Sequence, residues 1–145
     1  MDPNRLRETR TTRLVKSQDL NHHGTLFAGR IAEWCTESCF LSVARLSGDP
    51  ESIVCVKIHG LSFSKPARPG DTIEIVARVV KVGRSSLTAC ALVFVNDSPE
   101  ASVKGFATFV SVDSLGAPTP HGLSLPDAYV ACHRALHDEA AALPK

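Results

Sequence analysis

Residues 20–37 read LNHHGTLFAGRIAEWCTE. Asn21 and Gly24 accept turn conformations closed to most residues, and Thr25 is placed to cap a helix. From Leu26 apolar residues recur at helical spacing as far as Leu46, where Ser47-Gly48-Asp49-Pro50 forms a strong stop. At 100° per residue, Ala28, Ala32, Cys35, Cys39, Val43 and Leu46 share one stripe. Such small side chains suit a helix lying close against a curved sheet. The opposite side carries Arg30, Glu33 and Glu37 together with Trp34 and Leu41. A solvent face seldom mixes acids with Trp and Leu, so a partner subunit or a ligand is expected to cover this side too.

The segments around the helix read as strands. Residues 7–16 hold enough β-branched side chains for a first strand, and 52–63, 72–83, 85–96 and 101–112 follow in succession. The link over 64–71 (SKPARPGD) is a loop. One early helix and then four consecutive strands define an α+β architecture: a curved antiparallel sheet with one face on the helix. Its second face and free edges favour dimerisation. The tail has turn residues over 116–122 and a helix opening at Pro126. The chain thus divides into a single domain over 1–125 and a helical extension over 126–145.

With 145 residues, 43% hydrophobic and 21% charged, the chain can bury a core and is not disordered. The net charge of +1 does not mark a nucleic-acid-binding surface. No apolar run reaches the ~20 residues of a membrane span, and MDPNRLRETR is too polar for a signal peptide. A cytoplasmic protein is expected, with no membrane and no nucleic-acid partner. The odd count of five cysteines, without C-x-x-C spacing, favours reduced, buried thiols over a disulfide framework. His133 and His137 share a helix face but lack enough nearby ligands for a metal site, and read as an exposed polar face. No phosphate-binding loop, dinucleotide fingerprint or G-x-S-x-G elbow occurs.

The chemistry concentrates at the helix start. Unsatisfied N–H groups around Leu26 to Gly29 point at whatever precedes the helix, where the dipole favours negative charge. Beside Asn21, they can hold a developing oxyanion. Gly29 either allows that close approach or simply packs on the sheet. Glu37 reads either as a surface carboxylate near Arg30 or as a base in a partly desolvated cleft. His22 and His23 flank the same place. Lys57, Lys65, Arg68, Lys81, Arg84 and Lys104 are scattered and mostly solubilising.

NHHGTLFAGR (21–30), FSKPARPGDTIEI (63–75), VGRSSLT (82–88) and VKGFATFVSVD (103–113) together, in order and spacing, resemble the hot-dog-fold acyl-CoA thioesterases. The likeness spans roughly residues 8–113. It implies a long helix wrapped by an antiparallel sheet, paired into a homodimer and assembling further into tetramers or hexamers, with active sites at the subunit interface. It also implies hydrolysis of acyl-CoA, with no cofactor beyond the coenzyme A of the substrate. By this resemblance a helix carboxylate is base or nucleophile, Asn21 positions substrate or water, and the amide near Gly29 binds the thioester carbonyl. His23, Gly24, Arg84, Ser85 and Ser86 would contact substrate, the last three near the CoA phosphates, with Arg84 foremost among the cations. Counted from Gly24, the position of the acid in many members holds Thr36, and the acid falls one step later at Glu37. Glu37 is taken as the catalytic acid, with Thr36 orienting water. The rival readings are a non-catalytic acyl-CoA-binding regulatory module and a hot-dog hydratase or dehydratase. The last is disfavoured because the helix holds no His.

Overall fold

The computed structural model describes residues 2–144. Strand β1 (Thr9–Leu14) leads through a short turn region into helix α1 (Ala28–Ser47). Strands β2 (Ile53–Phe63), β3 (Thr72–Val82), β4 (Ser86–Val95) and β5 (Val103–Ser111) follow, then helices α2 (Asp127–Cys132) and α3 (Arg134–Ala141). All strand pairs are antiparallel, in the order β1-β3-β4-β5-β2, so β1 and β2 form the edges. The five strands and the long helix match the sequence expectation, and this helix-in-sheet wrapping is the hot-dog fold.

Alternation sets the two faces of the sheet. Ile73, Ile75, Leu87, Ala89, Val93 and Phe109 point at α1 and are almost fully buried. Facing them, α1 buries Ile31, Trp34, Cys35, Ser38, Cys39, Ser42, Val43 and Leu46. Small hydroxyl residues permit the close approach: Ser42 Oγ donates to the Ala77 carbonyl (3.0 Å) and lies 2.8 Å from Thr9 Oγ1. Gly48, at φ +75°, ends the helix in the left-handed conformation that favours glycine. In β2, Gly60 takes φ +88° where the register with β5 shifts between Ile58 and Leu61. That bulge bends the edge strand around the helix.

Four expectations are corrected. Trp34, assigned to the outer side of α1, is only 5% exposed and belongs to the core, whereas Ala28 is exposed. The sheet wraps more of the helix than one stripe, and Arg13 of β1 reaches across the indole, 4.9 Å from the ring centroid. The terminal helix is two helices, broken at His133. His133 is not on an exposed face: its ring is half-buried beside Tyr129, and its Nε2 accepts from Arg78 (3.0 Å). Lastly, only Cys35, Cys39 and Cys90 are buried, while Cys55 and Cys132 are exposed.

The C-terminal helices cover part of the outer sheet face. Ala140, Leu136 and Leu143 pack on Val80, Cys90 and Phe106, and Tyr129 donates to the Val79 carbonyl (2.6 Å). Beneath them Arg78 pairs with Glu8. Burial and the neighbouring Arg78 charge lower the proton affinity of His133. Glu8 is also lowered: burial alone would raise it, but Arg10 and Arg78 outweigh that effect. Both groups bind protons more weakly folded than unfolded, so both lose stability as pH falls, His133 from about its ordinary 6.5 and Glu8 from about 4.5. Relative to the intrinsic exchange rate at each pH, amides of α2 and α3 are therefore expected to be less protected at pH 5 than at pH 7.5, while those of β3 and β4 keep their protection. Equal protection at both pH values would show that His133 does not hold the helices.

Candidate active site

Asn21 folds residues 21–25 into a turn. Its Oδ1 accepts from the N–H groups of His23 (2.8 Å) and Thr25 (3.2 Å), and its Nδ2 donates to Thr25 Oγ1 (3.0 Å). Gly24 supplies the left-handed residue of this turn, at φ +76°. Thr25 is thus occupied by Asn21 and does not cap the helix; the N-cap is Phe27, which makes no side-chain capping bond. Leu26 N–H donates to the Ala67 carbonyl and Phe27 N–H to the Asp19 carbonyl, both at 2.8 Å. Of the four amides from Leu26 to Gly29, only those of Ala28 and Gly29 therefore lack an acceptor among the described residues. They stand at the positive end of a 20-residue helix. The Phe27 ring lies over Gly29, so close that a Cβ there would meet it at 2.5 Å.

Replacing Asn21 with Ala removes the acceptor that closes this turn. A loss of about 1–2 kcal/mol of stability is expected, comparable to losing a helix cap with its hydrogen bonds. Urea unfolding measures it; an unchanged midpoint would mean that the turn closes without the side chain.

Alongside the helix start, the outer side of α1 and strand β2 border an apolar groove of about 750 Å³. Gly29, Glu33, Thr36 and Glu37 line it from the helix, and Cys55 and Ile58 from β2. Thr36 Oγ1 donates to the Ala32 carbonyl (2.8 Å). Glu37 Oε2 accepts from Arg13 (3.3 Å), not from Arg30 as its spacing suggested; Arg30 pairs with Asp19 (3.3 Å) and Glu33 (3.4 Å). The side chains of Arg13 and Glu37 are 37% and 55% exposed. Such a pair contributes under about 1 kcal/mol, so Arg13 does not lock the carboxylate in place.

The structure brings Gly29, Thr36 and Glu37 together and leaves the other candidates apart. Asn21 lines a separate depression with Phe63 and Pro66. His23 and Gly24 are exposed on the turn, with the His22 and His23 rings 3.9 Å apart. Arg84, Ser85 and Ser86 form the β3–β4 hairpin, where His121 N–H donates to the Arg84 carbonyl (3.2 Å) and His121 Nε2 meets the Ser86 carbonyl (3.0 Å). Sequence reasoning missed the β2 wall of the groove. The signal was there in the run Ile53-Val54-Cys55-Val56, apolar on both faces of the strand: Ile53, Cys55 and Ile58 line the groove, and Val54 and Val56 prove exposed. Burial pushes the Cys35 and Cys90 thiols up to about 12 and raises Cys39 as well, which keeps all three protonated. Among the described residues no three His, Cys, Asp or Glu side chains gather as a metal site, and no helix is long and apolar enough to cross a membrane.

A helix start with two free amides, the Gly29 one on an apolar groove between the helix and the edge of a hot-dog sheet, is a frame for binding a polarised carbonyl with an apolar tail. Residues 23–102 match the family model described as the thioesterase superfamily, and the chain belongs to that family. An uncharacterized acyl-CoA thioester hydrolase of Bacillus subtilis is 28% identical over 113 residues, which are 75% of this chain and 64% of the relative. The match thus spans less than two thirds of that relative's length. Among solved structures, an acyl-CoA hydrolase from Bacillus cereus shares the fold with a TM-score of 0.78 at 24% identity, covering 95% of this chain and 86% of that one. The acyl-CoA hydrolase of Staphylococcus aureus, solved with butyryl coenzyme A, coenzyme A and coenzyme A disulfide, has a TM-score of 0.70 at 25% identity, covering 92% and 85%. Solved variants of that enzyme replace an asparagine and an aspartate fifteen positions further on.

Proposed function

We propose that the protein is a thioesterase that hydrolyses acyl-CoA to a free acid and coenzyme A, working as a homodimer or a larger assembly of dimers. The observation that carries this reading is the apolar groove that Gly29, whose amide is free, shares with Glu37 two turns along the helix. A thioester needs a polarised carbonyl and delivered water, since thiolate is a good leaving group. The helix-start amides stabilise the oxyanion while Glu37 takes the proton of the attacking water or attacks directly. The C–S bond then breaks and coenzyme A leaves as thiolate, which takes the proton from Glu37 in the first route; in the second, water hydrolyses the acyl–Glu37 anhydride to the free acid. Asn21 and the hairpin residues Arg84 to Ser86 act from elsewhere on the surface, toward the CoA end of the substrate or toward a neighbouring subunit's groove. No metal is needed. The hot-dog domain is taken as residues 1–125 and the extension as 126–145. A cytoplasmic setting fits this substrate.

One observation favours a second reading. Asn21 and Thr36 are fifteen positions apart, the spacing of the asparagine and aspartate replaced in the Staphylococcus aureus hydrolase, so the matching position here holds a hydroxyl. Of the two acids on the groove, Glu37 is turned to Arg13 and Glu33 to Arg30. A non-catalytic module that binds acyl-CoA would look the same. A thiol-release assay over acyl-CoAs of increasing chain length separates the two. Release above the uncatalysed rate supports the hydrolase, and saturable binding without release supports the module.

A further inference from the structure

Cations on the outer face of the sheet are matched to acids, with two exceptions. Arg10 meets Glu8 (2.8 Å) and Glu74 (3.0 Å), Arg78 meets Glu8, and Lys104 meets Glu139 (2.9 Å). Lys57 and Lys81 have no carboxylate partner among the described residues. Lys57 donates only to the Pro144 carbonyl (3.1 Å), one use of three ammonium donors.

Both lysines line one cavity of about 430 Å³, roofed by Ala140, Leu143 and Pro144. That volume lies within the ~300–1,000 Å³ of small-molecule sites. Its other polar lining is His59, Ser86, Thr88 and Thr108, and among the described residues no acid borders it. The hydroxyls are already ordered: His59 Nε2 lies 2.7 Å from Thr108 Oγ1, which lies 2.9 Å from Thr88 Oγ1. When Nε2 donates to Thr108 Oγ1, the Thr108 O–H donates to Thr88 Oγ1, and the Thr88 O–H is left to donate into the cavity. Two ammonium groups and several hydroxyl donors with no acid suit a ligand with many anionic oxygens on one centre. A carboxylate has too few, and a roofed cavity does not admit a membrane surface.

We propose that this outer-face cavity binds a phosphoryl group, held by Lys57, Lys81 and the Ser86 and Thr88 hydroxyls, with Thr108 orienting Thr88. It lies across the sheet from the groove, so the inference stands independently of the hydrolase reading. The phosphoryl group belongs either to the nucleotide end of coenzyme A or to a separate phosphorylated ligand.

The test is titration of the full chain with inorganic phosphate, ADP, coenzyme A and 3′-dephospho-coenzyme A, following ligand-induced amide shifts at Thr88 and Thr108. Saturable binding of phosphate and ADP is expected, weakened at least tenfold in the Lys57→Met/Lys81→Met double variant and less in Thr88→Val, which keeps the side-chain shape. If coenzyme A weakens in parallel, the group comes from coenzyme A, and sensitivity to the 3′-phosphate says which phosphate it is. If coenzyme A binding is unchanged while phosphate and ADP weaken, the ligand is a separate one. No saturable binding by the wild type, or wild-type affinity in both variants, overturns the proposal.

Discussion

Glu37→Gln is expected to lower thiol release from acyl-CoA by about 10²-fold or more, the loss associated with removing a general base. Gln keeps the shape of the side chain and can still accept from Arg13, so the groove is preserved. What it cannot do is take a proton from water or attack the carbonyl. Because the Arg13 pair is exposed and contributes under about 1 kcal/mol, the unfolding midpoint should stay within error of the wild type. Near-normal turnover by this variant would move the base elsewhere. The companion variant Glu37→Gln/Thr36→Asp asks which helical step faces the thioester, since one residue rotates a side chain by 100°. Recovery of at least tenfold would assign the acid to position 36, where Thr36 now spends its hydroxyl on the Ala32 carbonyl. No recovery would leave the role with Glu37.

The elements were legible because each is a local pattern. Val- and Ile-rich strands and the Gly48 stop of α1 fall within about two residues of where the sequence puts them. What escaped depends on partners distant in the chain. The helix starts at Ala28 rather than Leu26 because Leu26 is held extended in a bridge with Leu20 and Phe27 is extended as well, at ψ 128°. Trp34 falls on the wrong side of a helical projection because β1 wraps round far enough to cover it with Arg13. Glu37 was read against Arg30, its neighbour in sequence, and pairs instead with the edge strand. The candidate site was half legible for the same reason. Helix spacing gathers Gly29, Thr36 and Glu37, but the apolar run of β2 does not by itself say that Cys55 and Ile58 will face that helix.

That wall also carries the second large prediction. Strand β2 is a sheet edge, and Val54, Val56, Ile58 and Phe63 on it are 41% to 57% exposed, as are Phe27 and Leu41 of the helix side. Edges this long and apolar are normally covered. A two-fold axis beside β2 would pair it with its own copy and set Leu41 toward the partner, closing the groove from the open side. Leu41→Glu then buries two like charges near the axis, at a cost of several kcal/mol, and is expected to shift the protein to monomer at micromolar concentration. Sedimentation equilibrium reads the mass and circular dichroism the fold, which should be unchanged because Leu41 lies outside the α1–sheet core. If the partner completes the groove, thiol release falls together with the dimer. A variant that stays dimeric at wild-type turnover would place the interface on another face. A fully active monomer would show that one chain suffices for the chemistry.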